Sequence, residues 1–224
     1  VLKIDNEGTH EYDKCLIKSF GINGYDCAGK FCDWLFTKEN RNSTVMAHNG
    51  AGYDNKFILQ YCLNKGLAPS KFIRQGSRIT YMCFRGFNIR FIDSYHFLSQ
   101  PLKALSATYG IDTLKGYFPH HFNKPENQEY IGKIPNMHDF GVENMMPEDS
   151  ATFKQWHSEQ TGEQWDFKKE MIRYCRADVE LLSKTILKFR KLFKDNLDTD
   201  PFRYTTLASL CMSIYLNKFL PEKT

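Results

Sequence analysis

Two short motifs hold the residues best suited to chemistry. Ala47-His48-Asn49-Gly50-Ala51-Gly52-Tyr53-Asp54 ends on one carboxylate, and Tyr174-Cys175-Arg176-Ala177-Asp178 ends on another. Two carboxylates brought together by a fold are what a two-metal phosphodiester-cleaving site needs. Tyr174 and Asp178 stand four apart, so on a helix they share one face. Such a pair is common by chance, and alone it describes a solvated Asp beside a half-buried Tyr equally well. Asp54 follows a Gly-rich turn and opens a helix, where free backbone N–H groups stabilise a carboxylate without any function. Asn49 and Tyr53 are not demanded by a turn. An amide and an aromatic beside a metal carboxylate suit a frayed single-strand end, and Gly50 and Gly52 let a ligand backbone pass close.

The elements that must position these residues follow from pattern. Val1 to Ile4 and Lys14 to Phe20 read as two strands around turn chemistry at Asp5-Asn6-Glu7-Gly8. Helical spacing of Phe31, Trp34 and Leu35 predicts a helix from Cys27 to Thr37. Thr44 to Ala47 is a short buried strand that delivers His48 and Asn49 to its end. The helix opened by Asp54 carries an apolar stripe of Phe57, Ile58, Tyr61 and Cys62, with Gly66 past its end. Ile79 to Phe84 and Phe87 to Ile92 form a hairpin around Arg85-Gly86, and Asp93-Ser94 ends it. A helix runs from Pro101 to Tyr109 and closes at Gly110. From Gly116 to Pro147 the chain is rich in Pro, Asn and aromatics without a period, which predicts an ordered, irregular insertion. Phe167 to about Asn196 is the longest helical pattern, with Ile172, Cys175, Val179, Leu182, Ile186, Phe189 and Phe193 on one side. Asp198 to Pro201 breaks it, and a further helix begins at Thr206 and runs to Leu220.

Composition bounds the function classes. Hydrophobic content of 42% and aromatic content of 15% in 224 residues describe a folded globular chain. No apolar run approaches the length of a membrane span. A net charge of +4 is compatible with nucleic acid and does not require it. Seven Cys without any CxxC spacing read as reduced thiols of an intracellular protein, with nothing in the pattern to choose a compartment such as the nucleus or a viral replication site. A start at Val1, with no signal-peptide layout, reads as a piece of something longer.

The two motifs resemble the second and third exonuclease motifs of family B DNA polymerases. The resemblance is closest to the protein-primed branch, in particular the polymerases of Polinton-like transposons and related viruses. It extends to Phe91-Ile92-Asp93-Ser94-Tyr95, Pro101-Leu102-Lys103-Ala104-Leu105, Leu114-Lys115-Gly116-Tyr117-Phe118-Pro119-His120, Asp200-Pro201-Phe202 and Thr206 to Met212. Three residues separate Asn49 from Tyr53, a longer form shared by the Polinton-like group.

That resemblance implies an α/β fold, the ribonuclease H-like 3′–5′ exonuclease fold, with a mixed sheet flanked by helices. Residues 1–197 would be the exonuclease domain, and 198–224 a linker and the first helix leading into the polymerase segment. Asp54 and Asp178 would hold two Mg²⁺ or Mn²⁺ ions, and Tyr174 would orient the attacking water. Lys115 would support catalysis near the scissile phosphate; by itself it reads as a turn lysine before Gly116. Asn49, Tyr53 and Ser94 would contact the single-stranded primer 3′ end. The implied partners are DNA, a terminal priming protein and, for the parent polymerase, deoxynucleotides. The implied role is proofreading in DNA replication.

The family's first motif is Asp-x-Glu on the opening strand. Asp5-Asn6-Glu7 has the spacing, but Asn6 and Gly8 favour a hairpin turn, and the balance favours a first motif upstream of Val1. Asp198-Thr199-Asp200 imitates the metal-binding motif of a polymerase palm, yet its place after a helix and before Pro201 reads as a linker. Two alternatives stay open: a stand-alone exonuclease of the same fold, and a catalytically incomplete domain that binds single-stranded DNA or the priming protein.

Overall fold

The computed structural model describes residues 2–3, 16–17, 26–113, 116–162 and 164–220. Asp5, Glu7 and Lys115 lie outside the described residues. Two compact units divide the chain: Val1–Ile111 with Leu182–Thr224, and Asp112–Leu181.

In the first unit, β1 (Leu2–Lys3) and β2 (Leu16–Ile17) pair antiparallel. After them comes helix α1 (Cys27–Leu35), capped by Asp26, whose carboxylate accepts from the Gly29 N–H at 2.8 Å. A four-stranded mixed sheet then forms from β3 (Thr44–Ala47), β4 (Lys71–Gln75), β5 (Arg78–Phe84) and β6 (Ile89–Asp93), in the order β3-β6-β5-β4. The β3 and β6 strands run parallel, with Ala47 opposite Asp93, and the other pairs are antiparallel. Helix α2 (Asp54–Asn64) joins β3 to β4.

Helices cover both faces of this sheet. On one face, α1 and α2 bring Cys32, Leu35, Ile58 and Cys62 against Met82, Phe84, Ile89 and Phe91. Phe84 and Phe91 are each fully buried, a gain of about 1.5–3 kcal/mol per side chain. The Tyr61 hydroxyl donates to Asp33 at 2.7 Å and ties the two helices together. On the other face, Ile92 packs with Phe97, Leu98, Leu105, Phe189 and Phe202. Phe97 and Leu98 follow β6, and the others come from helix α3 (Leu102–Tyr109), from the part of a long helix beyond Leu182, and from the segment after it. Gly110 ends α3 in the left-handed conformation (φ 56°) that glycine adopts without strain.

The second unit contains the irregular insertion over Gly116 to Pro147 and extends beyond it, and the insertion's aromatics do find partners. Phe140, Phe153 and Trp165 form a core lined by Tyr117, Tyr130, Ile134 and Trp156. Helix α4 (Pro147–Glu159) supplies Phe153, and the short strands β7 (Ile131–Gly132) and β8 (Trp165–Asp166) pair across it. Helix α5 (Phe167–Leu197) starts here and continues into the first unit. Among the described residues, no helix is long and apolar enough to cross a membrane.

Several expectations need correction. Spacing assigns Phe57 to the apolar stripe of α2, but it is 61% exposed, while Ile58 and Cys62 are buried as expected. Spacing likewise assigns Cys175 to the apolar side of α5, and it is exposed. Phe87 belongs to the hairpin turn, not to β6, because its N–H bonds to Phe84 O and closes the turn first. The helix after Thr206 is shorter than the pattern: α6 (Leu207–Ile214) gives way to a wider turn over Tyr215–Phe219. The edge strand β4 carries no alternation, since every residue in it is exposed.

Asp198-Thr199-Asp200 is a structural linker. Asp198 ends α5 at φ 41°, and Asp200 caps a short helical turn at Pro201–Arg203. Burial opposes ionisation of Asp200, but the Arg190 guanidinium more than offsets it and holds the carboxyl below the usual range. Both side chains are largely buried, so Asp200→Asn leaves an uncompensated guanidinium, at a cost of about 3 kcal/mol. Thermal unfolding should register a loss of roughly 6–12 °C. An unchanged melting temperature would show the pair to be inert.

Candidate active site

The residues of the first motif lie on a turn built where two parallel strands end together. The Asp93 carboxylate, fully buried at the end of β6, meets the chain as it leaves β3. Its Oδ1 accepts from Asn49 N–H at 2.8 Å and from Tyr95 N–H at 2.9 Å, and its Oδ2 accepts from Ala51 N–H at 3.0 Å. Two of these charge-assisted bonds fix the path of the backbone through Asn49 to Ala51, and the third ties Asp93 to the segment after β6. Asn49 sits in the left-handed region at φ 62°, which an Asn side chain tolerates better than most. Gly50 is required by space: a Cβ there would fall 2.9 Å from Ala47 Cβ and 3.6 Å from Asp54 Oδ2.

The turn then releases Tyr53 and Asp54 at the start of α2. Tyr53 is 72% exposed, an aromatic face open to a ligand. Asp54 is the first residue of α2 and keeps an open side, in the field of the helix N-terminus. Even so, its carboxyl is held above the usual range. Displacement of water around it is the main cause; its own backbone N–H opposes the shift, and the Asp93 carboxylate adds to it. A carboxylate crowded by a second negative charge is a hard oxygen donor that a divalent cation would relieve. Among the described residues, no group of three His, Cys, Asp or Glu gathers to hold a metal ion.

Ser94 is fully buried, its hydroxyl 3.1 Å from Ala47 O and 3.0 Å from His48 Nδ1. His48 Nε2 lies 2.9 Å from Gln100 O. A carbonyl only accepts, so His48 carries a proton on Nε2. The imidazole thus locks the segment before Asn49 to the loop after β6, and its ring meets Tyr95 edge-on at 5.5 Å.

In the second unit, Tyr174 and Asp178 lie one turn apart on α5, as the spacing predicts. The Tyr174 ring is oriented by aromatic neighbours. Phe118 stacks on it at 5.2 Å and 29°, and His120 meets it edge-on at 5.7 Å. Asn49, Tyr53, Asp54 and Ser94 belong to the first unit, Tyr174 and Asp178 to the second.

Sequence reasoning passes over Asp93 and Arg78 as site residues. A signal for Asp93 exists: an Asp directly after the buried run Phe91-Ile92 is poised at a strand end. For Arg78 there is none. A cleft of about 1020 Å³ lies at the start of β3, the opposite end from Asn49, and is lined by Thr44, Arg90, Arg190, Asp200 and Arg203 among others. Within it Arg90 is engaged with Thr44 Oγ1 and Phe202 O, and Arg190 with Asp200.

Comparison with known proteins completes the picture. The model of a family described as DNA polymerase type B, organellar and viral, matches residues 36–224, which include both motifs. A probable DNA polymerase of Neurospora intermedia is 27% identical over 190 residues, covering 80% of this chain and 19% of that protein. A probable DNA polymerase of Ascobolus immersus is 28% identical over 200 residues, 84% of this chain and 16% of that protein. A DNA polymerase of Kluyveromyces lactis is 28% identical over 217 residues, 91% of this chain and 22% of that protein. The chain spans about a fifth of the length of the curated relatives it matches. No solved structure matches it. Over most of its length, this chain belongs to the organellar and viral type B DNA polymerases.

Proposed function

We propose that this chain is the 3′–5′ proofreading exonuclease region of a DNA-directed DNA polymerase, of ribonuclease H-like fold and from the protein-primed branch. One observation carries the reading. A buried carboxylate at the end of β6 shapes the Asn49–Asp54 turn so that a second carboxylate and an exposed aromatic emerge side by side. Ligands of open α/β sheets gather at such strand ends.

In this reading the single-stranded primer end lies against the Tyr53 ring, with Asn49 donating to the terminal nucleotide. Ser94 acts through His48 and Ala47, since its hydroxyl is spent on them. Asp54 and Asp178 would be the residues to hold Mg²⁺ or Mn²⁺, which would supply activation of a water and stabilisation of the leaving 3′ oxygen. The Tyr174 hydroxyl, on a ring fixed by Phe118 and His120, orients that water. Lys115 supplies charge near the scissile phosphate. DNA, deoxynucleotides and a terminal priming protein are the partners of the whole polymerase.

The test uses the full-length polymerase and a 5′-labelled single-stranded oligonucleotide. Shortening from the 3′ end should require added Mg²⁺ or Mn²⁺ and be lost in Asp178→Ala, while primer extension persists. Undiminished shortening by Asp178→Ala would overturn the assignment. Oligonucleotide binding without any shortening in the unmodified polymerase would favour the incomplete, binding-only domain.

A further inference from the structure

One cation already stands at the turn. Arg78, the first residue of β5, donates from Nη2 to Asn49 Oδ1 at 2.6 Å. Its place is set by the backbone beside it. Ile79 N–H donates to Ala51 O at 3.0 Å, and Asn55 Nδ2 donates to Ile79 O at 2.9 Å. The start of β5 is therefore bonded to the turn on both sides. Gly52 flanks the other nitrogen: a Cβ added there would lie 3.7 Å from Arg78 Nη1, in ordinary contact, and Arg78 is only half-buried.

The chemistry of the pair has a direction. A guanidinium has donors only, so the Asn49 carboxamide must turn its oxygen to Arg78. Its Nδ2, with two protons to give, then points away from Arg78. Among the described residues, nothing accepts from it.

We propose that Arg78 is a positioning residue for the primer strand, an inference that rests on the exonuclease reading above. It holds Asn49 so that Nδ2 faces acceptor atoms of the terminal nucleotide. Its Nη1 edge, beside Gly52, neutralises a phosphate of the strand. Both effects act on binding of the strand, not on the bond that breaks. Arg78 therefore governs KM and its salt dependence, and leaves kcat alone.

The experiment measures kcat and KM for 3′ shortening of a single-stranded oligonucleotide by the full-length polymerase, at several salt concentrations. It compares Arg78→Ala, Arg78→Lys, Asn49→Ala and the double variant Arg78→Ala/Asn49→Ala. Arg78→Ala should raise KM about tenfold with kcat unchanged, and should add a smaller factor, that of the phosphate contact alone, when Asn49 is already Ala. The slope of log KM against log salt should fall by about 0.7 in Arg78→Ala, the value for one phosphate contact on a single strand. Arg78→Lys keeps the charge without the fork. It should restore the slope but only part of KM, and it keeps the test valid if the Ala variant folds poorly. An unchanged KM in Arg78→Ala, a loss confined to kcat, or full additivity with Asn49→Ala would each overturn the proposal. Asp54→Asn serves as the reference in the same assay. If it degrades the strand like the parent, the exonuclease reading fails. If it is inactive while Arg78→Ala is unaltered, only the role of Arg78 fails.

Discussion

Asp54→Asn in the full-length polymerase should lose roughly 10²–10³-fold in single-strand 3′ shortening, the usual cost of removing one charge-stabilising group from a reaction centre. Its melting temperature should not fall. The turn that carries Asp54 is held by Asp93 through bonds to Asn49 and Ala51, and none of these involves the Asp54 side chain. The carboxyl of Asp54 is also held above its ordinary range, by displaced water and then by the nearby Asp93 charge. A carboxyl whose folded pKa is raised binds its proton more tightly in the folded chain, so its ionisation at neutral pH works against folding. Removing the charge therefore relieves the fold at neutral pH. The advantage of the variant should shrink in acid, where the parent is protonated too. Melting curves of both proteins across pH, in chelator, check the sign. A variant that melts lower at neutral pH and loses activity would show Asp54 to be structural.

Asp93→Asn makes the opposite trade. Asn can present its one oxygen where Oδ1 stood and keep the bonds from Asn49 and Tyr95. Its amide nitrogen then faces the Ala51 N–H, donor against donor, in a place with no exposure to water. A buried donor left unsatisfied and a charge-assisted bond lost together cost about 3 kcal/mol. The melting temperature should drop by roughly 6–12 °C. Asp93→Ala forfeits all three bonds and should fall further. Shortening activity should decline in both variants, because Gly50 and Asp54 leave a turn that is no longer fixed. Equal stability of Asn and Ala variants would mean that the three bonds do not act as a clamp.

Much of this architecture is legible in the order of the residues alone. The strand over Thr44–Ala47, the helix beginning at Asp54 and the long α5 follow from apolar period and from turn chemistry at their ends. The grouping of Asn49, Tyr53 and Asp54 is visible because the chain itself keeps them adjacent. What escapes depends on pairing across long separations. Lys71–Gln75 is a strand only because its backbone bonds to β5, and its exposed side chains carry no alternation. Phe57 looks like core by type and spacing, yet in the first turn of α2 it points away from the sheet side that Ile58 and Cys62 cover. Asp93 reaches the turn only through the parallel register of β3 with β6, and Arg78 only through the fold of β5 over Ala51. Neither register nor fold-over leaves a periodic mark.

The parallel pairing of β3 with β6 also sets an order of events as the chain is made. The bond from Asn49 N–H to Asp93 spans 44 residues, and nothing nearer in the chain can take its place. Closing so long a loop must precede any reward from the contacts it brings. While the chain is emerging from the ribosome, the Asn49–Asp54 turn thus stays unshaped until β4, β5 and β6 have been synthesised and the hairpin has docked beside β3. The turn consequently cannot acquire its form before Asp93 has been made, and a pause in translation before Asp93 would hold it open.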